Sequence, residues 1–400
     1  MMKQALCGAL LRMERMRQGL MLKQVCQGIC VTSYLSKIEH GECQADEAIV
    51  EAFFARLGIV YTADDAMLSP LRKKLDAYHE QFLYGIDTAE TYRSLLEYDS
   101  MMTYSPLCVD WLIVRGMENE DVLTQLDALA GCMDECQRAW RDVLWVWKNP
   151  NAQNCLEIAQ HAADVLGTSS ALLEVCYAAM RQSKYSVVHR LESRLTSLAL
   201  AEGNTFVLGN YYNLKGGAYA SLDQEELMMD CYMRSIHLLQ ETRWRDWLVN
   251  VYYNIGATYV ARGKYESALE YLRKVEGSEY WEIPRLHKQA LAYIRSGRVE
   301  EGKAYLEQMK TAMDKAGNGT AYGQLWYEEA LMECRDGYLD DPVYLTLLDR
   351  LVEVFGKNAT FGYLYFYREV YVQACTRQRQ YKKALEFERL ISSVANTNQG

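Results

Sequence analysis

Residues 210–220 read NYYNLKGGAYA, and residues 250–261 read NVYYNIGATYVA. Both stretches carry asparagines and paired tyrosines ahead of a glycine, and Gly216 and Gly256 lie 40 residues apart. A further 34 residues reaches Ala290 in HKQALAYIRSG, and the same 34 separates Gly263 from Gly297. After these last two glycines come KYESALEYLRKV (264–275) and RVEEGKAYLEQM (298–309), which read as the second helices of hairpins. SKYSVVHRLESRL (183–195) and QYKKALEFERL (380–390) repeat the same logic upstream and near the C-terminus. A single hairpin cannot bury its own apolar face, so self-similarity at this period implies a stack. Four hundred residues exceeds one ordinary compact core, and half of them are apolar with only five prolines, which suits a mostly helical chain.

The net charge of −10 hides an asymmetry. Residues 1–41 set Lys3, Arg12, Arg15, Arg17, Lys23 and Lys37 against only Glu14 and Glu39, and everything after them is acidic. A small basic head on an acidic body is compatible with nucleic-acid contact through the head alone. The first residues lack the sustained apolar core of a secretory signal, and no uninterrupted apolar run approaches the ~18–20 residues that span a bilayer. A cytoplasmic protein without membrane association is expected, its twelve cysteines reduced. Cys26/Cys30 and Cys132/Cys136 are spaced i,i+4, but no further Cys or His stands at metal-ligand spacing; thiols packed in a core are expected, with no metal and no cofactor.

Within the first seventy residues Leu6, Leu10 and Met13 mark one amphipathic helix, stopped at Gly19. Leu22 and Val25 mark a second ending near Gly28, Leu35 and Ile38 a third closing at Gly41, and Ile49, Phe53 and Leu57 a fourth ending at Gly58. Each is too short to hold its shape alone in water, so they must share a core. Asp64-Asp65 and Ser69-Pro70 mark the expected hinge.

Arg15, Gly19-Leu20, Gly28-Ile29-Cys30 and Ser33-Tyr34-Leu35-Ser36-Lys37-Ile38-Glu39, followed by Gly41, resemble the helix-turn-helix of phage-repressor-like (Xre/Cro) regulators. The resemblance implies an internal ion pair between Arg15 and Glu39. It also implies that the third helix enters the major groove, where Thr32, Ser33 and Lys37 face the bases. Arg12, Arg17 and Lys23 then meet phosphates, which supply affinity without sequence information, and Tyr34 contacts either backbone or core. The alternative is that these polar residues are the solvated side of a small bundle. Two places depart from the family pattern. Met21-Leu22 stand where relatives carry a capping Ser or Thr and a Gln, and Val31 stands where a capping Ser is common.

The repeats resemble tetratricopeptide repeats (TPR), the best copy carrying Gly256, Tyr259, Gly263, Tyr265 and Ala268. The expected fold class is all-α: an N-terminal helix-turn-helix bundle followed by a right-handed α-solenoid of TPR-like helical hairpins. The expected domains are a DNA-binding head over 1–62, a linker over 63–75 and a repeat domain over 76–400, clearest at 169–310. In such repeats the first helix of each hairpin faces inward. That places Asn210, Asn213, Asn250, Tyr253, His287 and Tyr177 on the concave wall, where asparagine amides grip an extended backbone and tyrosines form pockets. Alternatively the asparagines bridge neighbouring helices and the tyrosines are packing residues.

A repressor-like head followed by TPR hairpins resembles the RRNPP family of cytosolic peptide-sensing transcription regulators. The resemblance implies a homodimer on a palindromic double-stranded DNA operator, with a short imported peptide bound in the repeats as part of a quorum-sensing circuit. The other reading is a TPR protein-interaction scaffold with a vestigial head that binds a protein partner rather than DNA. No glycine-rich phosphate loop, metal cluster or nucleophile–base pair stands out, so no enzyme is expected.

Overall fold

The structure, a computed structural model, describes residues 4–240, 244–316, 322–357 and 361–396. Regular structure among them is helical throughout. The chain divides into two compact units, Met1–Ala171 and Leu172–Gly400.

The first unit contains α1 (Gln4–Arg17), α2 (Leu22–Cys26), α3 (Thr32–Glu39), α4 (Glu47–Leu57), α5 (Asp65–Leu83), α6 (Ala89–Leu96), α7 (Asp99–Thr103), α8 (Cys108–Met117), α9 (Leu123–Ala128), α10 (Glu135–Lys148) and α11 (Cys155–Leu166). Helices α1 to α4 are terminated where the glycines stand. Gly19, Gly28, Gly41 and Gly58 take φ of 66°, 77°, 71° and 71°, the left-handed conformation that a side chain resists. The buried stripe of each short helix, Leu6 and Leu10, Val25, Leu35 and Ile38, and Val50, Phe53 and Leu57, meets in one interior. Helix α1 crosses α3 at Gly8, where a Cβ would collide with the Ile38 carbonyl oxygen.

The linker expected over 63–75 is corrected. Asp64 caps a helix that begins at Asp65 and runs unbroken through Pro70. Pro70 removes one backbone donor, but Leu68, Leu71, Leu75 and Tyr78 form a buried stripe on the same core as the head. Burying four large side chains outweighs one lost hydrogen bond. That core runs without interruption from Leu6 to Leu144, so the head is continuous with the helices that follow it. The division of the chain falls at Ala171/Leu172 instead.

The boundary lies in the first turn of α12 (Ser169–Arg181), which is followed by α13 (Tyr185–Arg190), α14 (Glu192–Glu202), α15 (Thr205–Ser221), α16 (Glu225–Leu239), α17 (Arg245–Ala261), α18 (Tyr265–Leu272), α19 (Glu279–Arg295), α20 (Val299–Lys315), α21 (Gly323–Glu333), α22 (Pro342–Lys357), α23 (Phe361–Phe366), α24 (Arg368–Arg377) and α25 (Tyr381–Asn396). The closest-packed pairs are α15 with α16, α17 with α18 and α19 with α20, the hairpins of the repeating stretches. Gly256 allows the middle one to close, since a Cβ there would sit 2.6 Å from Leu272 Cγ. Near the C-terminus the short helix α23 packs back against α15 and α17, 100 and more residues earlier in the chain. That return positions the cavity described next.

Candidate functional site

Each unit presents one arrangement of side chains that packing alone does not account for. In the first, α3 turns Leu35, Ile38 and Glu39 inward and leaves Thr32, Ser33 and Lys37 exposed. Arg15 fixes the orientation. Its Nε and Nη2 donate to the two Glu39 carboxylate oxygens at 2.6 and 2.7 Å, and its Nη1 donates to the Leu20 carbonyl at 2.9 Å. The Glu39 side chain is 2% exposed and that of Arg15 15%, so this charge pair is buried and bidentate, the strong form of the interaction. It ties the end of α3 to α1 and to the entry of α2.

The other head residues separate into two sets. Arg12, Lys23 and Lys37 are exposed without an ion-pair partner among the described residues. Arg17 is exposed but clasps Glu14 with two hydrogen bonds of 2.7 and 2.6 Å. That clasp holds the Glu14 carboxyl below its usual range, with Gln18 and the Tyr104 hydroxyl adding to it. Tyr34 is half-buried against the core, its hydroxyl 3.5 Å from the Gln44 carbonyl. Helix α2 starts at Met21 with no side-chain cap on the helix's own amides; instead Gln24 Oε1 accepts from the Met21 N–H at 2.7 Å. Arg56 finishes the other end of α2, donating to the Gln27 carbonyl at 2.9 Å.

In the second unit a cavity of about 890 Å³ opens along α15 and α17 and is bounded by α12, α19, α23 and α24. Its size is that of a site for a short, partly apolar ligand. Of the six residues expected on the inner wall, Tyr177, Asn213, Asn250 and Tyr253 line it. Asn254, which the offsets passed over, ties the asparagines together: its Nδ2 donates to Asn213 Oδ1 at 3.1 Å and to Asn250 Oδ1 at 3.2 Å. The Nδ2 groups of Asn213 and Asn250 have no hydrogen-bond partner among the described residues, so donors remain on the wall of the cavity. The Tyr253 ring lies 4.4 Å from that of Trp281, tilted by 34°, and Trp281 meets the largely exposed Tyr280 edge-on at 5.0 Å. Together these rings form an aromatic end to the site.

Two of the six are corrected. Asn210 is 1% exposed and sits behind the wall, donating to the Phe206 carbonyl at 3.0 Å and accepting from the Tyr177 hydroxyl at 3.3 Å. It bridges neighbouring helices, the alternative role named for it. His287 is fully buried, stacked on Trp326 at 5.1 Å with its Nε2 2.8 Å from Glu329 Oε2. Burial holds it neutral well below its usual range, and the neighbouring Lys288 pushes the same way. The residue beside it, Lys288, lines the cavity instead. At 100° per residue a one-position error in register turns a wall residue into a core residue.

Behind the wall lies a network of buried charge. Arg295 holds Glu333 through two hydrogen bonds of 2.8 and 2.6 Å, and the Tyr344 hydroxyl donates to Glu333 Oε1 at 2.7 Å. Burial raises both Glu329 and Glu333 above the usual carboxylate range, against the pull of Arg295. All twelve cysteines are free thiols, Cys26 pushed up to about 11 by burial. No group of three or more metal-ligating side chains occurs among the described residues. None of the described helices is long and apolar enough to cross a membrane.

Comparison with known proteins adds little to this geometry. The tetratricopeptide repeat model matches residues 249–278, the α17–α18 hairpin. No curated protein matches the chain. Among solved structures the chain is similar to PlcR of Bacillus thuringiensis, determined in complex with the peptide PapR7 and DNA. Identity is 15% and the TM-score 0.36, over 81% of this chain and 98% of that one. A superposition this loose assigns no role to any residue here.

Proposed function

We propose that the chain is a sequence-specific DNA-binding regulator whose second unit binds a short peptide, acting as a homodimer on a palindromic operator. The observation that supports the DNA half most directly is the mounting of α3. A buried bidentate ion pair locks the helix from behind, while Thr32, Ser33 and Lys37 stand exposed on it and Arg12 and Lys23 are exposed nearby in the chain. In this reading Thr32, Ser33 and Lys37 contact bases, Arg12 and Lys23 contact phosphates, and Arg17 joins them only by leaving Glu14. The peptide half rests on the cavity, where Asn213, Asn250 and Asn254 face the ligand backbone and Tyr177, Tyr253 and Trp281 receive its side chains. The peptide stabilises one arrangement of the chain over another and so changes operator affinity.

An electrophoretic shift on DNA from upstream of the protein's own coding sequence, with and without a pool of short synthetic peptides, tests this reading. Wild-type protein is expected to shift the DNA, Lys37→Glu to lose at least tenfold in affinity, and the peptide pool to move the wild-type midpoint. No shift under any condition would overturn the DNA half, and an unmoved midpoint the peptide half.

Met21 and Val31, 74% and 67% exposed, favour a second reading. They place apolar surface at the starts of α2 and α3, where a DNA reader carries capping oxygens. A scaffold that docks a protein partner through this face would use them. In that case Met21→Ser and Val31→Ser would abolish partner capture, whereas in the DNA reading the same changes would leave DNA affinity intact or raise it.

A further inference from the structure

Lys288 is fully buried on α19. Its Nζ lies 3.3 Å from the centre of the Phe366 ring, with Trp326 at 5.5 Å, Tyr367 at 5.6 Å and Tyr363 at 5.8 Å. Three of these four rings belong to α23 or to the residue that follows it. The hydrogen bonding of Nζ is meagre for a group with three donors: His287 Nδ1 stands at 3.4 Å. Helix α23 in turn supplies Tyr363, Tyr365 and Phe366 to the cavity. One nitrogen on α19 is therefore the polar centre of the contact that seats a cavity wall.

Two effects on that nitrogen oppose each other. Aromatic faces attract a cation, while removal from water disfavours one. Burial wins: it brings Lys288 down from 10.5 to about 7, with Arg295 pushing the same way and Glu329 and Glu333 pulling against it. Of the other groups around it, His287 is held neutral by its own burial, and the phenols of Tyr363 and Tyr367 are raised and so uncharged.

We propose that Lys288 is a positioning residue that seats α23 on the inner wall as a neutral amine, and that protonating the same nitrogen releases α23 and widens the cavity. The sign follows from linkage. With α23 seated the amine binds its proton with a pKa of about 7; with α23 away it meets water and returns toward 10.5. The released form binds more protons between those values, so seating strengthens as pH rises through that window, by at most about tenfold per unit, and is flat below it. The proposal holds whatever ligand fills the cavity, so failure of the peptide reading would leave it standing.

Hydrogen exchange of residues 361–372 in the full-length protein, corrected for the base-catalysed intrinsic rate, tests it between pH 7 and 9. Wild type is expected to gain protection severalfold per pH unit. Lys288→Met, uncharged and of similar length, should be protected and independent of pH. Lys288→Arg, charged throughout, should be unprotected at every pH. A flat wild-type profile overturns the proposal, as does a Lys288→Met profile with the wild-type slope. If circular dichroism shows Lys288→Arg to be unfolded, the wild type and Lys288→Met decide the matter between them.

Discussion

The outward face of α3 and the inner wall of the cavity are both rows of polar side chains on helices, yet they are built in opposite ways. On α3 the side chains of Thr32, Ser33 and Lys37 make no hydrogen bond or ion pair among the described residues, and the stabilising pair of Arg15 and Glu39 sits behind them. On the wall the polar residues hold one another, Asn254 to Asn213 and Asn250, and Tyr177 to Asn210. Behind that wall Glu329 and Glu333 are buried beside the nearly buried Arg295, and the buried Lys288 stands at the wall itself. A surface of the first kind can change its specificity without changing its stability. One of the second kind cannot, because the side chains that face the cavity are also its packing groups.

The largest expected effect lies behind the separable face. Arg15→Ala leaves Glu39 buried without its counter-ion, and breaking such a pair from one side costs about 3–5 kcal/mol. Urea denaturation of the first unit, followed by circular dichroism, should show a loss in that range. A loss below about 1 kcal/mol would mean that α3 is held by its apolar side alone, and the contrast would weaken.

Close helix crossings give the next test. Gly8→Ala drives a methyl into the Ile38 carbonyl oxygen, which belongs to a backbone already fixed by α3. Overpacking of about 3 kcal/mol then exceeds the ~1 kcal/mol that alanine gains in helix propensity. At Gly256 the first obstacle is the buried Leu272 side chain, met at its Cγ, and the Ala268 carbonyl oxygen stands further off at 3.3 Å; a side chain shifts at lower cost than backbone, so Gly256→Ala should cost less, about 2 kcal/mol. Thermal denaturation of both variants checks the order; equal losses would show that backbone and side-chain obstacles yield alike.

How much of this was legible beforehand follows from the same contrast. The helices of the head could be read because what marks them is local, a stripe of apolar residues and a glycine at each stop; the pair of Arg15 and Glu39, twenty-four residues apart, is implied only by the repressor-like resemblance. The hairpins were legible at Gly216, Gly256 and Ala290 for the same reason. Helix α5 was misread because Ser69-Pro70 signals a break that only tertiary burial of Leu68, Leu71 and Leu75 overrules. The cavity was legible in kind but not in detail. Offsets along one helix found Asn213, Asn250 and Tyr253, but Asn210 and His287 are claimed by neighbours that no offset names, Tyr177 and Phe206 for one, Trp326 and Glu329 for the other. The part played by α23 was invisible, since FGYLYF reads as an ordinary aromatic stretch until α15 and α17 stand beside it.

The smallest effects decide most cleanly whether the two surfaces differ. Asn254→Ala removes both hydrogen bonds that join the asparagines, each worth about 0.5–1.5 kcal/mol net, but the wall faces a cavity where water can replace part of them. A loss of about 1 kcal/mol is therefore expected, together with loss of response to peptide. Lys37→Glu reverses an exposed charge that has no ion-pair partner among the described residues, so its stability should stay within about 0.5 kcal/mol of wild type while DNA affinity falls. Denaturation midpoints and operator affinity measured on the same two preparations place each variant on both axes. If Lys37→Glu cost as much stability as Asn254→Ala, the exposed face of α3 would be a packing surface as well, and its residues would have no claim to be free for the bases.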